Sequence, residues 1–246
     1  MIFIKNDLYN KIKKLINSKG FLIPDKGCGS VGLLLEEKLG LTNNEFPVAD
    51  CDGIELKTSN IYSEYPITLF SCTLDGPDFY PLSSFVERFG KLDEKYPKTK
   101  VLYIRLSSTQ CSNWGKFIKM RLIVDRKKEK IYILVLHANG KVIEKRVFWD
   151  FKTLESVIKR KISSMYFITY HVRRINNKKY CFFDDILVLK SKTFEDFLES
   201  LEQGKIEVYI KSGVFSSGLK EGQAYNHGTA FQIKKHMLLH MFEQKK

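Results

Sequence analysis

The segment Ile54-Glu55-Leu56-Lys57 constrains the fold more than any other feature of this chain. Side chains alternate between the two faces of a β-strand, so Ile54 and Leu56 are expected to point into a core. Glu55 and Lys57 then share the opposite face. Together with the helices and strands predicted along the rest of the chain, this strand indicates one compact α/β unit.

Acidic residues precede this strand by a few positions. Gly53 permits a backbone bend that brings Asp50 or Asp52 towards the face that carries Glu55. Two carboxylates and one ammonium at one point suit a hard divalent cation, an activated water molecule and a phosphodiester. On the residues alone, a hydrolytic nuclease site and an exposed strand with ordinary charges both explain the pattern.

The spacing of an acid two positions before a lysine recurs in this lysine-rich chain. Asp93-Glu94-Lys95 and Asp125-Arg126-Lys127 lie in charged, turn-like surroundings, which are typical of a solvated surface. Asp150-Phe151-Lys152 stands where a helix should begin, so its aspartate is expected to cap that helix. Among these candidates, only residues 54–57 combine the spacing with alternating apolar partners and upstream acids.

The rest of the chain reads as alternating helices and strands. With 246 residues, 43% hydrophobic and 28% charged, the chain is long enough for one large domain or two lobes. Amphipathic periodicity and turn signals predict helices at 7–19, 30–40, 81–91, 150–161 and 193–204. Strands are predicted at 54–58, 66–72, 101–106, 117–124, 131–137, 142–149, 165–175, 180–190 and 206–211.

The charge balance favours a polyanionic partner. Lysine and arginine number 41 against 28 acids, a net charge of +13. Binding to nucleic acid releases condensed counterions, so such an excess favours nucleic-acid association. A basic surface that only aids solubility is the alternative.

No signal peptide or membrane-spanning run is recognisable in the sequence, and the five cysteines show no CxxC pairing. Reduced thiols fit this number and spacing better than disulfides or zinc ligands. A prokaryotic cytoplasmic location is therefore expected.

Two sequence blocks resemble a known group of enzymes. Glu36 in Gly32-Leu33-Leu34-Leu35-Glu36, followed by Asp50 and by residues 53–58, resembles the mismatch-repair nickase MutH. Near the other end, Ser217-Gly218 and residues 226–231 (Asn-His-Gly-Thr-Ala-Phe) are similar to the tail of the MvaI/BcnI restriction endonucleases. Both groups belong to the MutH-like branch of the PD-(D/E)XK nuclease superfamily. Ala49 departs from that motif, because it stands where the name-giving proline is expected.

The resemblance implies a set of catalytic residues. Asp50 and Glu55 would ligate one or two Mg²⁺ ions, with the carbonyl of Leu56 as a further oxygen ligand. Lys57 would orient or deprotonate the attacking water, and Glu36 would complete the site. Asp52 remains a rival ligand to Asp50. Ca²⁺ is expected to support DNA binding without cleavage.

The resemblance also implies DNA-contacting residues near the C-terminus and in the middle of the chain. Their side chains or backbone groups would face base edges or phosphates. They are His227, Gly228, Thr229, Gln232, Ser217, Lys220, Lys211, Arg88 and Lys91.

The implied fold is a restriction-endonuclease-like mixed β-sheet flanked by helices, with two lobes forming a DNA-binding cleft. Approximate sub-lobes of a single nuclease domain would be 1–110, catalytic, and 111–246, mainly for DNA recognition. The implied activity is that of a type II restriction endonuclease, acting on double-stranded DNA as a monomer that cuts each strand in turn. A cognate DNA methyltransferase is then expected in the same host. The alternatives are a MutH-like nickase, a DNA-binding protein that does not cleave, and, more remotely, an RNA nuclease.

Overall fold

The structure of the chain is a computed structural model that describes residues 2–24, 30–41, 53–76 and 82–245. Within these ranges, the side chains of residues 2–6, 226 and 227 are not described. Asp50 and Asp52, the two acids expected ahead of the candidate catalytic strand, also lie outside the described residues.

The helices of the described residues are α1 (Ile2–Ile16), α2 (Ser30–Leu39), α3 (Leu82–Phe89), α4 (Phe151–Lys161), α5 (Phe194–Glu202) and α6 (Leu238–Met241), with a 3₁₀ turn at Lys235–Met237. Five of these six helices overlap predicted ones, although α1 begins at Ile2 instead of residue 7; α6 was not predicted. Helix α5 begins at a capping box, in which the Thr193 side chain accepts from the backbone N–H of Asp196 and the Asp196 side chain accepts from that of Thr193.

Strands account for most of the remaining regular structure. They are β1 (Phe21–Leu22), β2 (Ile54–Asn60), β3 (Ile67–Ser71), β4 (Lys91–Leu92), β5 (Lys100–Leu106), β6 (Ser112–Trp114), β7 (Ile118–Asp125), β8 (Lys130–His137), β9 (Val142–Glu144), β10 (Phe148–Asp150), β11 (Ser164–Ile175), β12 (Lys178–Ser191), β13 (Ile206–Val214), β14 (Ala224–Ile233) and β15 (Phe242–Lys245). The single strand expected at 142–149 is in fact two short strands, β9 and β10, both paired with β8.

The chain divides into two compact units. Unit 1 comprises residues 1–65, 159–192 and 242–246, and unit 2 comprises residues 66–158 and 193–241. This division differs from the expected sub-lobes at 1–110 and 111–246. The reason is strand pairing, because β2 takes its partner from a segment far along the chain.

Unit 1 contains one sheet, in the order β1-β12-β11-β2, with β15 also paired to β12. Strands β2 and β11 run parallel, whereas β11 and β12 form a long antiparallel hairpin. Helices α1 and α2 bury their apolar faces against one side of this sheet. The core comprises Leu8, Ile12, Val31, Leu34, Leu35, Leu39, Ile54, Leu56, Tyr166, Ile168, Cys181, Phe183 and Ile186.

Unit 2 contains two sheets, in the orders β10-β8-β7-β6, with β9 paired to β8, and β3-β14-β13-β5-β4. Phe231 of β14 lies at the centre of an aromatic cluster. Its ring centroid is 4.8 Å from that of Phe70, 5.3 Å from that of Trp149 and 5.8 Å from that of Phe197. Trp149 is fully buried and its indole N–H donates to the carbonyl of Cys72 at 3.3 Å.

Two further expectations concern the environment of the protein. Among the helices that the structure describes, none is both long and apolar enough to cross a membrane. The three cysteines in the described ranges, Cys72, Cys111 and Cys181, are free thiols, and burial raises the pKa of the Cys181 thiol to about 12.

The contact between Gly20 and Phe182 gives a test of packing in unit 1. Gly20 has a φ of +86°, and a Cβ there would lie 2.6 Å from the Phe182 ring. We expect Gly20→Ala to lose about 1–2 kcal/mol to its backbone conformation and about 1–3 kcal/mol more to overpacking. Urea unfolding would measure the loss.

Gly40→Ala is the matched control for this prediction. Gly40 has a φ of +71°, and among the residues that the structure describes no atom beyond its chain neighbours lies within 4 Å of the position that a Cβ would take there. The expected loss is therefore the backbone cost. Equal losses in the two variants would contradict the close approach of Gly20 to Phe182.

Candidate active site and DNA-binding residues

Glu55 and Lys57 form an ion pair on β2, on the face opposite the helices. The Lys57 ammonium donates to a carboxylate oxygen of Glu55. The Glu55 side chain is 6% exposed and that of Lys57 is 26% exposed. Burying a lone carboxylate is costly, so the lysine stabilises its charged form. This confirms the predicted alternation, and it places a carboxylate beside an ammonium.

The parallel register with β11 fixes where these two side chains lie. Glu55 is opposite Met165 and Lys57 is opposite Phe167. Ile54 and Leu56 point to the other face, where they belong to the core formed with α1 and α2. The burial of Ile54 and Leu56 therefore fixes the position of β2, and β2 in turn positions Glu55 and Lys57.

Helix α2 carries Glu36, the third candidate catalytic residue in the described ranges. Gly32 packs close to β2, since a Cβ on it would lie 3.8 Å from the Thr58 hydroxyl oxygen. Glu36 follows Gly32 by one helical turn and therefore lies on the same side of the helix. It is half-buried and borders a surface depression together with Ser30 and Glu37.

The donors available for a metal ion are oxygen atoms. Glu55 contributes a buried carboxylate, and the Leu56 carbonyl belongs to the next residue of the same strand. Hard oxygen donors of this type fit Mg²⁺. Within the described ranges no three histidine, cysteine or acidic side chains cluster as a metal site, and the expected ligand Asp50 lies outside those ranges.

The loop between β13 and β14 carries Ser217 and Lys220. Both are exposed. Contacts to the turn after β4 anchor the loop: the Tyr96 hydroxyl donates to the Glu221 carboxylate at 2.5 Å, and the Thr99 hydroxyl donates to the Gly222 carbonyl at 2.8 Å. An anchored loop with exposed polar side chains is suited to contact with a ligand.

Gly228 lies at an irregularity in the pairing of β13 with β14. Ile210 pairs with Thr229 and Ser212 with Asn226, so β14 has one extra residue there. Gly228 adopts a φ of +79°, as expected for a β-bulge built on glycine. Bulges of this kind re-aim neighbouring side chains, which gives a structural reason for the glycine after His227 in the sequence.

Thr229 and Gln232 take internal positions. Thr229 is 1% exposed, and its hydroxyl donates to the Cys72 carbonyl. The Gln232 amide donates to the Thr68 hydroxyl at 2.9 Å, and its Oε1 is buried without a partner among the described residues. These bonds connect β14 to β3 and to the segment after it. Direct base contact by the Thr229 side chain, as expected from the sequence, does not agree with its burial.

Arg88 is also engaged within the protein. Its guanidinium lies 2.5 Å from the carboxylate of Glu144, whose side chain is 2% exposed. Arg146 donates two hydrogen bonds to the same carboxylate, at 2.9 Å and 2.8 Å. The Arg146 guanidinium, together with the backbone N–H groups of Arg146 and Lys145, lowers the pKa of Glu144 to about 2. The sequence does not indicate the pairing of Glu144 with Arg88, because the two residues lie 56 positions apart.

Lys91 and Lys211 are accessible basic side chains of unit 2. Lys91 is exposed, and its ammonium lies 5.3 Å from the centroid of the Trp114 ring, a cation–π arrangement. Trp114 in turn donates to the Phe89 carbonyl at 2.7 Å. Lys211 is half-buried on β13, opposite Tyr103 of β5.

Comparison with known proteins gives matches over nearly the whole chain. A model of the MvaI/BcnI restriction endonuclease family matches residues 9–242. No curated protein matches the chain. One similar solved structure is the restriction endonuclease MvaI in complex with its cognate DNA substrate, at 25% identity and a TM-score of 0.90, covering 98% of this chain and 96% of that chain.

A second similar structure is MvaI in the absence of DNA. It is 24% identical, with the same coverage of 98% and 96%, and gives a TM-score of 0.60. The likeness to MvaI confirms the predicted α/β, restriction-endonuclease-like fold.

The low pKa of Glu144 predicts a loss of stability in acid. A carboxyl with a pKa of about 2 in the folded chain and 4.5 otherwise stabilises the fold above pH 4.5. That contribution, on the order of 3 kcal/mol, is lost as the pH falls from 4.5 through 2. We expect Glu144→Gln to be less stable at pH 7, with a difference from wild type that shrinks in this interval.

Urea unfolding at several pH values would measure that difference. Glu64→Gln is the control, because Glu64 is exposed and forms no ion pair with the residues that the structure describes. A constant difference between wild type and Glu144→Gln from pH 7 to pH 2.5 would contradict the prediction.

Proposed function

Because the chain belongs to the MvaI/BcnI restriction endonuclease family, we propose that it is a type II restriction endonuclease. It hydrolyses phosphodiester bonds of double-stranded DNA at a short specific sequence. The observation that carries this proposal is the buried Glu55–Lys57 pair, held on one face of β2. A buried carboxylate beside an ammonium suits metal-assisted phosphodiester hydrolysis.

Asp50 and Glu55 are the proposed ligands of Mg²⁺, with the Leu56 carbonyl as a further oxygen and Glu36 completing the site. When bound, the metal polarises the scissile phosphate and stabilises the charge that develops on it. One or two ions are compatible with this donor set, and Asp52 remains a possible additional ligand.

Lys57 has a separate role in the proposed reaction. Its ammonium already donates to Glu55, so Nζ is held at the carboxylate instead of moving freely in solvent. From this position the ammonium orients the attacking water and offsets charge on the pentacovalent phosphate. Deprotonation of the water would need Nζ as the neutral amine, which then accepts that proton. The strand anchored by Ile54 and Leu56 fixes the geometry that these steps need.

DNA recognition is assigned to unit 2. Ser217 and Lys220 on the anchored loop, Lys211, and the bulge at His227 and Gly228 supply the proposed contacts, with Lys91 as an additional cation. Thr229 and Gln232 support this surface from within, through Cys72 and Thr68 respectively, whereas Arg88 is exposed beside Glu144 and is an additional proposed contact. The net charge of +13 favours a DNA partner.

The remaining parts of the proposal follow from a restriction role. The enzyme acts as a monomer on each strand in turn, in the cytoplasm of a prokaryote. A cognate methyltransferase in the same host protects that host's DNA. A MutH-like nickase is the alternative within the same chemistry.

Plasmid cleavage separates these alternatives. With Mg²⁺, we expect supercoiled plasmid to pass through open circles to linear fragments whose ends map to one short sequence. Stable open circles would identify a nickase, and an uncut plasmid over a wide range of sequences would overturn the nuclease proposal. Competition with duplex RNA would test the choice of DNA.

Lys57→Ala should abolish cleavage while leaving DNA binding intact. Loss of a group that positions and deprotonates water typically costs about 10²–10⁴-fold in rate. Single-turnover cleavage measures this loss, and electrophoretic mobility shift with Ca²⁺ measures binding. Lys152→Ala is the control, since Lys152 has the same spacing from an acid but is exposed on α4. Normal cleavage by Lys57→Ala would show that the site is assigned wrongly.

A further inference from the structure

The hairpin of β11 and β12 extends past the rest of its sheet. Pairing of β11 with β2 ends at Tyr170 and Asn60. Beyond it the two strands continue to the turn at Asn176 and Asn177, and residues 172–179 are all exposed. We call residues 172–179 the basic arm, because its charged side chains are two arginines and two lysines.

The basic arm has no acidic neighbour in sequence. Residues 172–183 contain Arg173, Arg174, Lys178 and Lys179 and no aspartate or glutamate. None of these four cations forms an ion pair with the residues that the structure describes. The arm therefore carries four of the excess positive charges of a chain whose net charge is +13.

Several side-chain contacts at the base of the arm attach it to the rest of unit 1. The Arg173 guanidinium lies 5.3 Å from the centroid of the Phe182 ring, which stacks on His171 at 5.2 Å. His171 Nδ1 lies 2.7 Å from a carboxylate oxygen of Asp184. Gly20 also approaches the Phe182 ring closely.

Backbone contacts define the two ends of the arm. At the tip, Asn176 and Asn177 have φ values of +48° and +61°, which match a type I′ turn. At the base, β1 pairs with Tyr180 and Cys181, and the N–H of Ile23 donates to the Lys179 carbonyl at 2.9 Å. The backbone conformation of the arm is therefore fixed at both ends, and the four basic side chains project from it.

The strand registers place two of the four cations on the same sheet face as the candidate catalytic pair. Along β11, Arg173 is on the same face as Phe167, which lies opposite Lys57. Lys178 pairs with Ile175 and shares that face. Arg174 pairs with Lys179, and both point to the opposite face. We call Arg173 and Lys178 the near pair, and Arg174 and Lys179 the far pair.

The spacing along β11 matches a stretch of duplex. Arg173 follows Phe167 by six positions, or about 20 Å at ~3.3 Å per residue. Along B-form DNA this corresponds to about six base pairs at ~3.4 Å each. For a duplex that runs along β11, cations at that distance on the same sheet face are in reach of phosphates about six base pairs from a bond held at Glu55 and Lys57.

We propose that the near pair of the basic arm, Arg173 and Lys178, binds phosphates of duplex DNA about six base pairs from the cleaved bond. This inference rests on the proposed nuclease function, since it takes the duplex to lie along the Glu55 face of the sheet. The other use of basic residues on an unpaired strand edge is to block strand addition by a second molecule. That use does not depend on which face the cations occupy.

The two faces of the arm supply a matched pair of variants. Arg173→Gln/Lys178→Gln removes the near pair and Arg174→Gln/Lys179→Gln removes the far pair, with equal loss of charge from the same hairpin. Thermal melting would verify that each variant is folded. Fluorescence anisotropy would then measure binding to a labelled duplex of about 40 base pairs with Ca²⁺ over a range of KCl concentrations, long enough to cover about six base pairs on each side of a short site.

We expect the near-pair variant to bind on the order of tenfold more weakly at low salt, with a salt slope reduced by about 2. The far-pair variant should keep the wild-type slope. Equal losses of DNA affinity in the two variants would overturn the proposal, since any charge on the arm would then have the same effect. Unchanged DNA binding in both variants would also overturn it and would favour a role in blocking strand addition.

The binding measurement does not depend on cleavage. The nuclease function and the DNA contact of the near pair can therefore be refuted by different results. A cleaved plasmid with unchanged salt slopes refutes the arm alone. An uncut plasmid with a slope that falls only in the near-pair variant refutes the nuclease and retains only the phosphate contact of the near pair, without its distance from a cleaved bond. Once the cut site is mapped, duplexes with two or ten flanking base pairs add a second readout. The near-pair variant should match wild type only on the shorter duplex, and equal binding to both would count against the arm.

Discussion

The parallel pairing of β2 with β11 is the constraint on which the rest of unit 1 depends. A shift of one residue in this register would turn Glu55 and Lys57 into the helical core and Leu56 towards solvent. The burial of Ile54 and Leu56 against α1 and α2 prevents that shift. One set of apolar contacts therefore decides which face carries the candidate catalytic pair.

Much of the fold follows from local patterns in the sequence. Helices α2 and α5 and strand β2 lie close to their predicted positions, because apolar periodicity, a cap residue and a terminating glycine act over a few residues. The ion pair of Glu55 with Lys57 follows from strand alternation in the same way. One short segment is thus enough to predict the candidate catalytic lysine and carboxylate, but it does not predict that β11 is the partner strand.

Features that depend on distant residues are not evident from the sequence. The expected sub-lobe boundary at residue 110 differs from the bounds of the two units, because β2 pairs with β11 across an intervening segment that forms much of unit 2. Thr229 was expected to face DNA, but the bulge at Gly228 and the bond to Cys72 give it an internal position. Arg88 likewise meets Glu144, which lies 56 positions away. Burial and register of this kind depend on tertiary pairing, which a single sequence does not specify.

The three-segment construction of unit 1 has a consequence for how the chain acquires its structure. Strand β2 is synthesised early, but its partner begins at Ser164 and the sheet is completed by β15, which ends at Lys245. Contacts between such distant segments form late and slow the folding of a domain. During translation the strand with Glu55 and Lys57 therefore has no sheet to join until most of the polypeptide has emerged from the ribosome. A nascent or truncated chain would carry the catalytic sequence without the tertiary structure that orders it.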